Sequence, residues 1–101
     1  MSIDRQQLRM LGATVEKRKV YTLQQTQGNK TFGTLITPNL VDVNDIYVDE
    51  MSRALKNGSL VEDQCGFQDQ YRVGKKVIRE MRIRHPKTNT VTMWSILLEE
   101  T

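Results

Sequence analysis

Two apolar-rich runs, over 77–84 and 91–98, flank Pro86-Lys87-Thr88-Asn89, with Met81 and Ile83 alternating with Arg82 and Arg84 before the turn and Trp94, Ile96 and Leu98 at every second place after it, and no other stretch restricts the fold as tightly. A period of two places successive side chains on opposite faces of a strand, and Pro and Asn are turn residues. The pattern therefore predicts a hairpin over 71–99 that turns at 86–89. A turn centred there pairs Ile83 with Thr92, Met81 with Trp94, Arg79 with Ile96 and Val77 with Leu98 on a face that reads as core. The opposite face pairs Arg84 with Val91, Arg82 with Met93, Glu80 with Ser95 and Ile78 with Leu97. Charges from one strand lie there beside apolar residues of the next, so that face is either partly covered or open to a partner. A helix over 73–84 is the competing reading, because Val73, Val77 and Met81 recur every fourth residue.

Upstream, the helical signals are strongest over about 45–56. Asn44 or Asp42 can cap the N-terminus, and Asp45, Asp49 and Glu50 favour the positive end of the helix dipole. Arg53 and Lys56 suit the other end. Val43, Ile46 or Tyr47, Met51, Ala54 and Leu55 make an apolar stripe, and Asn57-Gly58 stops it. A shorter helix is expected from Asp4, where Gln7 completes a capping box, to the stop at Gly12. Between the helices, alternation predicts a strand over 14–25, a turn at Gln27-Gly28-Asn29 and a strand over 30–37 that ends at Pro38-Asn39. Residues 59–69 lack a period and read as a loop. The expectation is a single α+β domain over 1–101, in the order helix, hairpin, helix, hairpin, with helices packed on a largely antiparallel sheet.

A chain of 101 residues can enclose one core. Its apolar runs are far shorter than the roughly 20 residues of a membrane span, and no secretory leader is legible. One cysteine, Cys65, forms no internal disulfide, so a cytoplasmic address is expected. The net charge of +3 is unevenly spread. Residues 1–37 hold six Lys/Arg against two acids, residues 38–70 hold seven acids against two bases, and residues 71–101 hold seven bases against three acids. Basic ends thus flank an acidic middle.

Catalytic constellations are hard to assemble from this sequence. Cys65 and His85 are one of each and fall in a loop and a turn. They cannot supply the three or four ligands of a zinc site, and the acids at 42, 45, 49 and 50 lack the glycine and terminal glutamate of a calcium loop. Asp45 and Asp49 lie one helical turn apart, which an exposed acidic face explains. The scattered glycines form no phosphate loop, and Gly74-Lys75-Lys76 reads as a turn. A non-catalytic binding or regulatory domain without cofactor or metal is expected. Its first-named partner is the nucleic-acid backbone, held by Lys75, Lys76, Arg79, Arg82, Arg84 and Lys87. The alternative is a protein partner, or a second copy of the chain in a homodimer, meeting Asp45, Asp49 and Glu50 or Val91, Met93 and Leu97.

Overall fold

The computed structural model describes residues 18–66 and 70–100. They form strands β1 (Lys19–Gln27) and β2 (Lys30–Thr37), helix α1 (Leu40–Lys56), then strands β3 (Leu60–Cys65), β4 (Tyr71–Arg72), β5 (Lys75–His85) and β6 (Thr90–Glu100). All six strands belong to one antiparallel sheet in the order β2, β1, β6, β5, β3, with β4 also paired to β5. The chain leaves the sheet at one edge, β2, and re-enters at the other, β3. Its connection is α1, whose 17 residues span about 25 Å, enough to cross the roughly 19 Å between the edges of five adjacent strands.

This arrangement corrects the expected helix, hairpin, helix, hairpin order. Strands hold 59% of the described residues and the one helix 21%, so the fold is mainly a sheet with a single helix laid across it. The helix expected from Asp4 lies outside the described residues. So does the start of the strand expected at 14–25; its described part runs on to Gln27.

The expected loop at 59–69 contains strand β3, paired with β5 from Leu60↔Arg84 to Cys65↔Arg79. No period was visible because β3 is an edge strand whose inward positions are Val61 and Asp63. A carboxylate thus occupies a slot where an apolar residue would have marked the period. The long 71–99 hairpin also divides. Tyr71–Arg72 folds back on β5 through Val73 and Gly74, both at positive φ (53° and 76°), as a two-residue type I′ turn requires. The helix reading of 73–84 fails on the same evidence of backbone pairing.

Within β5 and β6 the expected register holds from Arg84↔Val91 to Arg79↔Ile96. Beyond it, a bulge at Ile78 shifts the pairing by one residue, giving Val77↔Leu97 and Lys76↔Leu98.

Helix α1 begins five residues before the expected start because Asn39 is the cap, its Oδ1 accepting the Val41 N–H at 3.0 Å. Its end is a Schellman motif: the N–H groups of Gly58 and Ser59 donate to the carbonyls of Leu55 and Ala54 at 3.1 and 3.0 Å, with Gly58 at φ 77°. Val43, Tyr47 and Ala54 on one side of the helix bury against Leu23, Met81, Ile83, Trp94 and Ile96 of the sheet. The expected core face of the hairpin is therefore the one that carries the helix.

Candidate functional site

The sheet has two unlike faces. On the face covered by α1, four polar side chains form a clamp at the edge. Tyr47, fully buried, donates its O–H to Asp63 Oδ1 at 2.6 Å. Arg79 donates from Nε and Nη2 to the two Asp63 oxygens at 3.2 and 2.7 Å, and from Nη1 to Asn44 Oδ1 at 2.7 Å. Its guanidinium also lies 4.5 Å from the centroid of the Tyr47 ring. The fork of Arg79 holds the Asp63 carboxyl below its ordinary pKa, helped by the Tyr47 hydroxyl, and Asp63 in turn raises Arg79. Burial, followed by the hydrogen bond to Asp63, pushes the Tyr47 phenol well above its ordinary value. Helix, edge strand and β5 are joined here by charge-assisted bonds, so Arg79 is structural and is not free to hold a ligand.

His85 is also on this face and is spoken for. Its Nε2 is 3.1 Å from Thr92 Oγ1, and its Nδ1 is 3.4 Å from the hydroxyl of buried Ser59. Cys65, at the far end of β3, is exposed; its register partner is Arg79, six residues from His85 along β5. Those six residues measure about 20 Å, which separates the two residues that a nucleophilic pair would need together.

The face turned away from α1 is divided. Toward the start of β5 it is buried: Thr22, Val77, Ser95 and Leu97 are closed off from solvent. Glu80 is buried among them, accepting from Ser95 Oγ at 3.0 Å and paired with Arg72 Nη2 at 2.8 Å. Lys75 reaches Thr22 Oγ1 at 3.5 Å and Glu99 at 4.0 Å. Toward the β5–β6 turn the face is open. Arg82 and Arg84 project from β5 two residues apart, and both are exposed. Among the described residues neither is within ion-pair distance of a carboxylate. Glu62 stands opposite Arg82 in the register without joining it. Two open concavities meet at Arg82. One of about 610 Å³ has Thr26, Val91 and Met93 in its lining, and one of about 330 Å³ adds Leu60, Glu62 and Arg84.

The six cations expected to act together therefore separate. Arg79 is in the clamp on the opposite face, Lys75 is engaged with Thr22 and Glu99, and Lys76 pairs in register with Leu98 and Tyr71 at the far end of β5. Arg82 and Arg84 share the open face, and Lys87 lies in the adjoining turn, exposed. Of the residues expected to meet a protein, Val91 is exposed and Met93 half-buried beside the arginines, whereas Leu97 is buried. Asp45 and Asp49 are exposed on the outer side of α1; Asp49 and half-buried Glu50 are paired with Arg53. Sequence reasoning missed Tyr47, Asn44 and Asp63. The signal available was Arg79 itself, which the register placed opposite Ile96 on the core face, where a guanidinium requires a buried partner.

Among the described residues no three His, Cys, Asp or Glu side chains gather closely enough to hold a metal ion. Among them, too, no helix is long and apolar enough to cross a membrane. The chain matches no protein-family model, and no curated protein or solved structure matches it.

Proposed function

We propose that the protein is a non-catalytic binding domain that takes a nucleic-acid backbone on its open sheet face, through Arg82 and Arg84 with Lys87 at the rim. The observation that carries this reading is the pair of exposed arginines with no carboxylate partner among the described residues. Two residues along one strand, their stems are roughly 6.7 Å apart and held by a rigid sheet, so little order is lost when both meet phosphate oxygens. Arginine offers a planar fork that suits such oxygens. Asp42, Asp45 and Asp49 lie on α1, which covers the other face, and of the acids only Glu62 borders the arginines among the described residues. Among the described residues the open face carries no aromatic platform, so the binding is to backbone and is weakly selective for sequence.

A second reading is favoured by a different observation: Leu60 and Val91, 67% and 42% exposed, border Arg84. Apolar residues beside arginine suit an acidic protein segment. Fluorescence anisotropy with labelled single-stranded and duplex oligonucleotides at low salt separates the readings. Micromolar binding that is lost in Arg82→Ala/Arg84→Ala supports the first. No binding at about 50 µM removes it.

A further inference from the structure

Helix α1 carries a second, largely apolar row beside its buried side, in which Asn44 is held by Arg79 and Met51 packs at the edge of the core while the aliphatic residues of the row are left uncovered. Val41, Asn44, Val48, Met51 and Leu55 recur at intervals of three, four, three and four residues, the spacing of a coiled-coil seam. At 3.6 residues per turn this seam is rotated by about 100° from the buried side formed by Val43, Tyr47 and Ala54. Val41, Val48 and Leu55 are 63%, 41% and 58% exposed, and Asn44 and Met51 are half-buried. Three exposed aliphatic residues at successive heptad positions add nothing to the packing of one copy.

The charges beside the seam identify what fits it. The first half of α1 holds Asp42, Asp45, Asp49 and Glu50, and its last turn holds Arg53 and Lys56. Arg53 pairs with Asp49 and Glu50 inside the helix. Asp42 and Asp45 at one end and Lys56 at the other are in no ion pair among the described residues. A helix of the same sequence laid in the opposite direction meets this pattern twice, acid against lysine at both ends. A parallel copy would set like charges together.

We propose that α1 is a homodimerisation surface, pairing antiparallel with α1 of a second copy about a two-fold axis near Glu50. In this register Val48 packs on the partner's Met51 and Leu55 reaches the partner's Asn44, with Asp45 near the partner's Lys56. The interface is isologous, as a closed dimer needs. It leaves the Arg82 and Arg84 faces of both copies free and does not depend on what those faces bind.

Sedimentation equilibrium of the full chain over about 1 to 300 µM is the test, with dimer expected to accumulate at tens of micromolar, as suits a small interface. Val48→Asp should remain monomeric throughout while melting at the same temperature as the parent at low concentration. Leu55→Asn, a milder change at another exposed seam position, should weaken association in the same direction and serves if Val48→Asp does not fold. Lys56→Asp should weaken the dimer about threefold, and adding Asp45→Lys should recover it, which only the antiparallel arrangement allows. A chain that stays monomeric to 300 µM, a dimer indifferent to both seam substitutions, or a charge swap that fails to recover affinity would overturn the proposal.

Discussion

Replacing Arg79 by alanine removes four interactions at once: two bonds to Asp63, one to Asn44 and the stacking on Tyr47. A hydrogen bond to a charged group contributes about 1.5–3 kcal/mol when buried and an exposed ion pair at most about 1 kcal/mol. Both side chains of the pair are between a quarter and a third exposed, so the lower part of the range applies. Asp63 is left with Tyr47 alone. The expected loss is about 2–3 kcal/mol, which for a domain near 100 residues lowers the melting temperature by about 8–20 °C. Thermal unfolding followed by circular dichroism measures it. A cycle with Asp63→Ala should return a coupling of about 1–2 kcal/mol, and Arg79→Lys should recover only part of the loss because lysine lacks the fork. Arg82→Ala/Arg84→Ala, on the open face, should melt within about 2 °C of the parent, since exposed charges contribute little. An Arg79→Ala protein as stable as its parent would refute the clamp.

The clamp also sets the acid limb of stability. Asp63 has a lowered folded pKa, caused first by Arg79, so its contribution is complete above the unfolded value near 4 and is lost as pH falls below it. Urea midpoints measured from pH 6 to pH 2.5 should therefore fall less steeply in Asp63→Asn than in the parent. Trp94→Ala, under α1 in the main core, should cost about 3–5 kcal/mol by urea denaturation. Val73 is a β-branched residue at φ 53° and 90% exposed; Val73→Asn, which tolerates that conformation, should raise stability by about 1 kcal/mol, seen as a higher melting temperature.

These side chains also show which parts of the molecule sequence could reveal. The β5–β6 hairpin was legible because burial alternates beside the turn, from Met81 to Arg84 and from Val91 to Trp94, and the turn residues agree with it. Its register failed only past Ile78, where a bulge leaves no mark on an apolar stretch. α1 was legible from its charges and its Asn57-Gly58 stop, although Asn39 was read only as the end of a strand. β3 was hidden because Asp63 occupies a core-facing slot and is satisfied by Tyr47 and Arg79, partners 16 residues away on either side. The basic set was read as one patch because a linear sequence counts charges, whereas the pleat of β5 sends Arg79 to one face and Arg82 and Arg84 to the other.

The most direct test of the account is the salt dependence of oligonucleotide binding, measured by anisotropy for the parent and for Arg82→Ala/Arg84→Ala. Three cations on phosphate predict a slope of log affinity against log salt of about −2.1 to −2.7, or a loss of about 20- to 40-fold between 50 and 200 mM. The double variant should retain a slope near −1 or lose binding altogether. A parent affinity that does not change with salt, or a slope that the double variant leaves intact, would contradict the assignment of the open face.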